Sequence, residues 1–293
     1  MFLIDGKKIA AEIREDLKKK GEELIREKGV QPCIALLLVG DNPASGIYVR
    51  MKEKVSKEIG FKSIIIKKPE DTSEKEVLDI INDWNMDDSI HGILVQLPLP
   101  DQINEFKVIK SISPSKDVDG FHPENMGRLV LGMSGFVPCT PAGIVELINR
   151  SVVSVKGKHV VVVGRSNIVG KPIANLMYQK KETANAIVTI CHTGTDDVSK
   201  YTRQADILVA AMGFPEAIKA DQVKESVVVI DVGVNRVEAP DTEKGYRLCG
   251  DVDFENVSKK ASAITPVPGG VGPMTIAMLM RNTYLSAAGK IKY

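Results

Sequence analysis

The sequence is poor in aromatic residues, cysteine and histidine. Aromatic side chains make up 5% of the 293 residues, with a single tryptophan. The four cysteines and four histidines are scattered with no paired spacing, so the sequence offers neither a disulfide framework nor a set of metal ligands. We therefore predict a protein without structural disulfides and without a bound metal.

An excess of charge of one sign and long apolar runs are also missing. There are 39 Lys and Arg residues against 38 Asp and Glu residues, giving a formal net charge of +1. Without a basic block, a nucleic-acid-binding face has no support. No apolar run approaches the about 20 residues that cross a bilayer, and charge appears already at Asp5. We predict a cytoplasmic protein that binds neither nucleic acid nor a membrane.

Short apolar runs bounded by turn residues are present in two sets. Runs of this kind, alternating with helical patterns, indicate strands buried on both faces of a parallel sheet. The pattern therefore predicts an α/β protein. The predicted strands cover residues 33–39, 63–66, 92–97, 158–163, 186–191, 206–210 and 227–232, and the predicted helices cover residues 48–59, 74–85 (capped by Thr72 and Ser73), 141–149 (capped by Thr140) and 274–287.

The chain length and a loop-rich segment predict two domains. At about 150 residues per domain, the length fits two, and residues 111–141, which are rich in Pro, Gly, Ser and Asp, separate the two sets of strands. We predict two α/β domains flanking a cleft. The order of the motifs described below places residues 1–140 plus 273–293 in the first domain and residues 141–272 in the second.

A glycine turn follows the first strand of the second set. The strand that ends at Val163 leads into Gly164, and a helix start follows at Gly170, which is an arrangement that presents backbone N–H groups to a phosphate. The turn is not a Walker A loop, because Pro172 stands where that loop needs Ser or Thr. Ser166 also replaces the second glycine of the dinucleotide fingerprint. The turn alone leaves open a dinucleotide site or a plain strand-to-helix connection.

The end of the next strand indicates which dinucleotide would bind. NAD-specific folds carry an acid there for the ribose 2′-hydroxyl, but residues 189–193 contain none and the first acid is Asp196. Arg165 in the preceding turn suits a 2′-phosphate, because guanidinium forms a forked, charged contact with phosphate. Thr193 and His192 offer further donors, although His192 is equally explained as an ordinary surface histidine. The sequence thus favours NADP, and we predict that the second domain is a Rossmann-type NADP-binding domain.

Candidate catalytic residues lie in the first half. Tyr48 and Lys52 are four residues apart and share a face if residues 48–59 are helical. A Tyr-x-x-x-Lys pair also occurs in short-chain dehydrogenases, but their glycine loop precedes the pair, whereas here Gly164 follows it by more than a hundred residues. That alternative is disfavoured, and a purely structural role for the pair remains open at this point.

Two further polar features stand out near the end of the third strand. Gln96 interrupts an apolar run, and a buried amide without a partner costs about 1–3 kcal/mol, so we expect Gln96 to have one. Asp117 and Asp119 lie beside Gly120, either as functional acids or as solvated loop residues. These residues are further candidates for the site.

Taken together, the motifs resemble one family. Their order and approximate spacing are similar to those of the bifunctional methylenetetrahydrofolate dehydrogenase/methenyltetrahydrofolate cyclohydrolase family, usually called FolD. The resemblance runs from Ile4 to near the C-terminus and includes several independent motifs. They are residues 48–52, 95–98, 116–120, 138–141, 164–172 and 266–275.

The resemblance implies two reactions and a set of roles. It implies that NADP⁺ oxidises 5,10-methylenetetrahydrofolate to the methenyl cation, which water then converts to 10-formyltetrahydrofolate, and that the protein is a homodimer. By the same resemblance Lys52 is the main catalytic residue, Gln96 positions it, Tyr48 contacts folate and Asp119 holds the pterin ring. The implied folate-binding residues are Tyr48, Lys52, Val95, Gln96, Leu97, Asp119, Pro268, Gly269, Gly270, Val271 and Gly272, and the implied NADP-binding residues are Gly164, Arg165, Ser166, Thr193 and Val234.

Two other functions remain open from the sequence. One is a different NADP-dependent two-domain dehydrogenase, for example one acting on hydroxy or keto acids, which would share the Gly164 turn but has no use for Gln96 and Asp119. The other is a sensor that binds NADP without turnover. A single assay with methylenetetrahydrofolate and NADP⁺ separates these from the implied activity.

Overall fold

The computed structural model describes residues 1–151, 154–242 and 245–293, and of Ala44 the backbone only. The chain forms two compact units. The first unit comprises residues 1–10 and 140–275, and the second comprises residues 11–139 and 276–293. Each unit has its own parallel sheet, so the α/β prediction is confirmed.

Helices and strands alternate through most of the described residues. The helices are α1 (Gly6–Lys28), α2 (Pro43–Glu58), α3 (Glu74–Met86), α4 (Glu105–Ser111), α5 (Pro123–Leu131), α6 (Cys139–Ser151), α7 (Gly170–Tyr178), α8 (Ser199–Thr202), α9 (Phe254–Val257) and α10 (Val271–Ala287), with a 3₁₀ turn at Ala220–Gln222. The strands are β1 (Phe2–Leu3), β2 (Cys33–Val39), β3 (Lys62–Lys68), β4 (Gly92–Val95), β5 (His159–Val163), β6 (Ile187–Cys191), β7 (Ile207–Ala210), β8 (Val228–Asp231), β9 (Asn235–Glu238), β10 (Tyr246–Cys249) and β11 (Ala263–Ile264).

The second unit is built on a three-stranded parallel sheet in the order β3-β2-β4. All seven residues of the central strand β2 are buried, which is why the sequence shows an unbroken apolar run there. The prediction for residues 33–39 is confirmed to the residue. Strand β3 is longer than predicted, and β4 ends at Val95, two residues before the predicted end, although the Gln96 N–H still donates to the Leu37 carbonyl of β2 at 2.8 Å.

The first unit is built on a six-stranded parallel sheet in the order β1-β11-β8-β7-β5-β6. The four strands predicted in this region are confirmed as β5, β6, β7 and β8 within one residue at each end. Strands β1 and β11 were not predicted, because two residues each are too short to show a pattern. Through β1, residues 1–10 lie in this unit; the division into a folate-binding and an NADP-binding domain remains a prediction.

The antiparallel hairpin of β9 and β10 was also missed. Its strands are short and carry charged residues, so no apolar run marks them. Arg236 stacks on the ring of Tyr246 with its guanidinium carbon 3.6 Å from the ring centroid. The hairpin is thus held in part by a cross-strand cation–π contact.

The residues at the start of two helices of the second unit explain why those helices begin there. Ser73 caps α3, and its hydroxyl accepts a hydrogen bond from the Glu76 N–H at 3.2 Å, which confirms the predicted cap. Helix α2 begins at Pro43, five residues before the predicted start. Proline suits the first turn of a helix because the N–H it lacks would have no intrahelical partner.

The other two predicted helices begin earlier than expected. Helix α6 starts at Cys139, so the prediction of Thr140 as its cap is wrong; the Thr140 hydroxyl lies instead 3.0 Å from that of Thr275. Helix α10 starts at Val271, three residues before the predicted Met274. In both cases the helix incorporates the loop residues directly before the apolar pattern.

Candidate active site and nucleotide-binding turn

Lys52 occupies the centre of the candidate site in the second unit. It lies on α2, and only 8% of its surface is exposed. Its ammonium group donates to Gln96 Oε1 at 2.9 Å, while Gln96 Nε2 donates to the Leu97 carbonyl at 2.7 Å. The second bond fixes which side of the amide faces the lysine. The partner expected for Gln96 is therefore Lys52.

The surroundings of Lys52 weaken its hold on a proton. Burial lowers the pKa of the ammonium group, and the nearby Asp119 and Cys139 oppose this shift without cancelling it. A lysine whose pKa falls is neutral more often near pH 7 than an exposed one, and only the neutral amine can accept a proton. The site thus holds a lysine suited to act as a base.

Asp119 and Cys139 form the other side of this cluster. Asp119 is half-buried; loss of solvent raises its pKa, while Lys52 and a hydrogen bond with Cys139 lower it. Cys139 is fully buried, and burial together with Asp119 raises the pKa of its thiol well above the ordinary value. The thiol therefore stays protonated and serves as a donor. Sequence reasoning assigned no role to Cys139, because a single cysteine carries no signal of one.

Asp117 has a different role from Asp119. Its carboxylate accepts from the N–H groups of Gly120 at 3.2 Å and His122 at 2.8 Å and from Asn125 Nδ2 at 2.9 Å. Burial raises the pKa of Asp117 to about 7, against the effect of these bonds. Asp117 therefore shapes the loop, whereas Asp119 lies near Lys52. The sequence placed the two acids together but could not distinguish them.

Asn282 on helix α10 anchors the loop that carries Asp117 and Asp119. Its Nδ2 donates to the carbonyl of Val118 at 2.8 Å and to that of Val137 at 3.1 Å, and it is 6% exposed. Val118 stands between the two acids, so Asn282 fixes the segment that carries Asp119. This residue was missed, since nothing local in the sequence connects it with residues so far away.

We expect Asn282→Leu to lower the free energy of unfolding by about 1–3 kcal/mol, because the half-buried Val137 carbonyl loses this donor and the buried Val118 carbonyl keeps only the Cys139 thiol, at 3.3 Å. Urea denaturation of the parent and the variant measures the change. Ser286→Ala is the matched control: this serine lies one turn further along α10, and its exposed hydroxyl donates to the Ser115 carbonyl at 3.2 Å. The control should change stability by less than about 0.5 kcal/mol, and an equal loss in both variants would contradict the role given to Asn282.

The remaining predicted folate-binding residues are divided between the two units. Tyr48 is 48% exposed one turn before Lys52, Val95 is buried and Leu97 is half-buried. The segment from Pro268 to Gly272 belongs to the first unit, where the Gly269 carbonyl accepts from the Lys7 N–H at 3.0 Å. The structure brings Lys52, Gln96 and Asp119 together, and the part of residues 268–272 in binding folate stays a prediction.

In the first unit, Gly164 forms the turn between β5 and the residues that lead to α7. Its φ is +132°, and a Cβ atom there would lie 2.1 Å from the carbonyl oxygen of Ala211. Only glycine fits such a position. The Gly164 N–H donates to the Cys191 carbonyl at 2.8 Å, which ties the turn to the end of β6.

Ser166 organises the start of α7. Its hydroxyl oxygen accepts from the N–H of Val169 at 3.1 Å and that of Gly170 at 3.3 Å. Two of the N–H groups that a phosphate could have used are therefore already paired. The hydroxyl keeps its own hydrogen to donate, so Ser166 can present that hydrogen to a phosphate in place of the glycine amides of the full fingerprint.

The other residues predicted to bind the cofactor lie at the ends of neighbouring strands. Arg165, Thr193 and Val234 are exposed, at the ends of β5, β6 and β8. His192 Nδ1 accepts from the Gly194 N–H at 3.0 Å, which leaves its Nε2 to carry a hydrogen and donate. Parallel strands end at one edge of a sheet, where dinucleotides bind in this architecture. The residues present fit a dinucleotide with a 2′-phosphate.

Several negative findings apply to the part of the chain that the structure describes. Its four cysteines are free and buried. Residues 1–151, 154–242 and 245–293 contain no group of three or more His, Cys, Asp or Glu placed to hold a metal ion. Within the same residues, no helix has both the length and the apolar character that a membrane span requires.

The parallel six-stranded sheet with its glycine turn defines an α/β protein with a Rossmann-type nucleotide-binding unit. Two family models match the sequence. Residues 4–119 match the tetrahydrofolate dehydrogenase/cyclohydrolase catalytic domain, and residues 138–291 match the NAD(P)-binding domain of the same family. The chain belongs to the tetrahydrofolate dehydrogenase/cyclohydrolase family.

Individual relatives agree over nearly the whole length. The bifunctional protein FolD of Chlorobium phaeovibrioides is 57% identical over 285 residues, 97% of each chain. The crystal structure of the bifunctional FolD enzyme of Campylobacter jejuni is 51% identical, with a TM-score of 0.93 over 99% of this chain and 100% of that one. The Trypanosoma brucei dehydrogenase-cyclohydrolase, crystallised with NADP and an inhibitor, is 36% identical with a TM-score of 0.93 over 100% and 99% of the two chains.

Proposed function

We propose that this protein oxidises 5,10-methylenetetrahydrofolate to the 5,10-methenyl cation with NADP⁺ and hydrolyses that cation to 10-formyltetrahydrofolate. The observation that carries the proposal is the buried Lys52, held by Gln96 at 2.9 Å beside Asp119, in a chain of this family. Burial gives the lysine a lowered pKa, and a base is what the hydrolytic step requires.

The residues of the second unit account for the hydrolysis. The methenyl carbon is cationic, so a folate bound here would disfavour the protonated form of Lys52 further. The neutral amine accepts a proton from water as the water oxygen bonds to the methenyl carbon. As the bond from that carbon to N5 breaks, N5 takes up the proton held by Lys52, the added hydroxyl releases its own proton to solvent and becomes the formyl oxygen, and the one-carbon unit remains on N10 as a formyl group. Gln96 keeps the amine directed during the transfer.

Asp119 is suited to bind the pterin ring of the folate. The ring presents a 2-amino group and an adjacent N–H as paired donors, and one carboxylate can accept both. Tyr48, exposed one turn before Lys52, offers a ring on which the folate can pack. These roles are assigned on the match of the residues to the family motifs, and the geometry around Lys52 supports them.

NADP⁺ accepts the hydride in the first step. In the first unit Gly164 allows the close approach of a dinucleotide, Ser166 and Thr193 donate hydroxyl hydrogens, and Val234 lies at the end of β8. Arg165 provides the charge for a 2′-phosphate, and the end of β6 has no acid before Asp196 to repel one. We assign NADP binding to this unit, and catalysis with the folate contacts of Tyr48, Gln96 and Asp119 to the second.

Two features complete the proposal. The protein is a homodimer, on the resemblance to its family, and it acts in the cytoplasm. Sedimentation analysis of the purified protein measures the first. A monomer at micromolar concentration would contradict it.

The two competing functions predict different behaviour. A dehydrogenase for hydroxy or keto acids can use a lysine as the base for the hydroxyl proton, but it has no pterin ring for Asp119 to hold and no cation for water to attack. A sensor has no need of a base at all. Lys52, Gln96 and Asp119 are brought together here, which favours the bifunctional folate enzyme over both.

One spectrophotometric run tests the proposal. Methylenetetrahydrofolate and NADP⁺ are added to the protein, and we expect NADPH absorbance to rise together with 10-formyltetrahydrofolate. Methenyltetrahydrofolate added alone should lose its absorbance faster with the protein than without it. NADPH formation from a 2-hydroxy acid but not from the folate would favour the other dehydrogenase, and binding without turnover would favour the sensor.

A further inference from the structure

Two buried aspartates stand at the carboxyl edge of the six-stranded sheet. Asp231 is the last residue of β8 and is 2% exposed, and Asp251 follows β10 and is fully buried. Neither makes an ion pair that the structure describes. Buried carboxylates of this kind need several donors to offset the loss of water. The donors used here are mostly backbone N–H groups of loops.

Asp251 joins two of these loops with one side chain. Its Oδ2 accepts from two consecutive N–H groups, those of Met212 at 2.7 Å and Gly213 at 3.0 Å, in the loop after β7. Its Oδ1 accepts from Asn235 Nδ2 at 2.9 Å, at the end of the loop after β8. The carboxylate therefore sets the distance between the two loops.

Asp231 in turn holds Asp251 in place. Its Oδ1 accepts from the N–H of Gly233 at 3.1 Å and from that of Asp251 at 2.9 Å, and its Oδ2 accepts from the Val252 N–H at 3.0 Å. The packing here is tight: a Cβ atom on Gly233 would lie 2.1 Å from Asp251 Oδ1, so no side chain fits at that position. The two acids thus form one rigid hydrogen-bonded block.

The two loops that this block fixes flank the nucleotide-binding turn. The loop after β7 begins at Ala211, whose carbonyl oxygen lies directly against Gly164. The loop after β8 carries Val234 between Gly233 and Asn235, both of which the block holds, and Val234 is 53% exposed. A shift of either loop would change the wall against which a dinucleotide binds.

We propose that Asp251 is a positioning residue for the NADP site, acting through the backbone of residues 212–213 and the side chain of Asn235. Asp251 is fully buried and does not itself contact the cofactor. The proposal rests on the proposed function for the identity of the dinucleotide. It assigns to Asp251 a specific effect on NADP⁺ binding and none on the hydrolysis of methenyltetrahydrofolate, which depends on residues of the second unit.

Asp251→Asn is the variant that tests this. The amide keeps the shape of the carboxylate but replaces one acceptor oxygen with a donor, so either a donor faces a donor or the Asn235 amide turns over, and the contact that sets the loops changes in both cases. We expect the Kd for NADP⁺ and the KM for NADP⁺ in the dehydrogenase reaction to rise about tenfold or more. Hydrolysis of methenyltetrahydrofolate, measured without NADP⁺, should stay within about twofold of the parent.

Asp206→Asn is the matched control. Asp206 belongs to the same unit and precedes the same strand β7, but at its amino end, where its carboxylate accepts from the His159 N–H at 2.8 Å and pairs with Lys224. That end is the opposite edge of the sheet. This variant should leave the Kd for NADP⁺ unchanged even if it lowers stability.

Asn235→Ala provides a second, milder variant. It removes only the donor to Asp251 Oδ1, so we expect a rise of about threefold to tenfold in the Kd for NADP⁺ with hydrolysis intact. If Asp251→Asn does not fold, Asn235→Ala decides the proposal alone. Folding of each variant is checked by circular dichroism before calorimetric titration with NADP⁺.

The outcomes separate this proposal from the proposed function. A parent protein that does not bind NADP⁺ overturns both. A parent that binds NADP⁺, with Asp251→Asn and Asn235→Ala binding it equally well, overturns the role of Asp251 alone. Loss of hydrolysis and of NADP⁺ binding in the same proportion would also overturn it, because that result describes general destabilisation.

Discussion

Replacing Lys52 with methionine should lower the rate of methenyltetrahydrofolate hydrolysis by about 10²–10⁴-fold, the contribution typical of a positioned base. Methionine has a similar length and no charge, so it can occupy the buried position on α2 without leaving a cavity. The fold should survive with a loss of stability of no more than about 1–3 kcal/mol, because Gln96 Oε1 loses its donor while the cost of burying the lysine charge is removed. Decay of methenyl absorbance measures the rate.

The pH dependence of the same reaction provides a sharper test. Because burial lowers the pKa of Lys52, the neutral amine accumulates as the pH rises through a value below the ordinary lysine pKa of 10.5. The hydrolysis rate of the parent should therefore increase with pH along a limb that is absent in Lys52→Met. Uncatalysed hydrolysis at each pH is subtracted.

Lys54→Met is the matched control for this prediction. Lys54 lies two residues further along α2, its side chain is 77% exposed, and it pairs with Glu58 at 3.8 Å. This variant should hydrolyse methenyltetrahydrofolate at the parent rate with an unchanged pH profile. Full-rate hydrolysis by Lys52→Met would overturn the role of Lys52.

Arg165→Ala should reduce the preference for NADP⁺ over NAD⁺ by about 10–150-fold, since a hydrogen bond to a charged group is worth about 1.5–3 kcal/mol. The effect should fall on NADP⁺, because NAD⁺ has no 2′-phosphate for the guanidinium to bind. The ratio of kcat/KM for the two cofactors in the dehydrogenase reaction measures it. Activity with NAD⁺ should change little.

Arg203→Ala controls for the loss of a positive charge from the same unit. Its guanidinium is directed to Asp221, with Nε donating to the Asp221 carbonyl at 2.8 Å. The cofactor preference of this variant should equal that of the parent. Equal kcat/KM for NADP⁺ and NAD⁺ in the parent would contradict the assignment of Arg165.

The sequence predicted those parts of the fold that depend on local pattern. Strand β2 was found to the residue because every one of its positions is buried, and the cap of α3 was found because Ser73 and Glu76 stand at a fixed spacing. Strands β1 and β11 were missed because each is only two residues long and forms through pairing with distant chain. No local window contains that information.

The same distinction applies to the site. Gln96 could be singled out because a polar residue ends an apolar strand, and its partner proved to be Lys52. Asn282 donates to a residue 164 positions away, and Asp251 accepts from an N–H 39 positions away. Such contacts exist only once the chain has folded, so no spacing rule finds them.

The burial of β2 has a consequence for amide hydrogen exchange in the second unit. Its backbone amides pair with β3 on one side and β4 on the other, and no residue of the strand reaches solvent. Hydrogen exchange at such amides requires unfolding of the whole unit, whereas frayed ends and loops exchange through local fluctuations. Helix α2 follows β2 after three residues. Lys52 therefore lies on a helix that begins three residues after the strand whose amides we expect to exchange most slowly in the second unit.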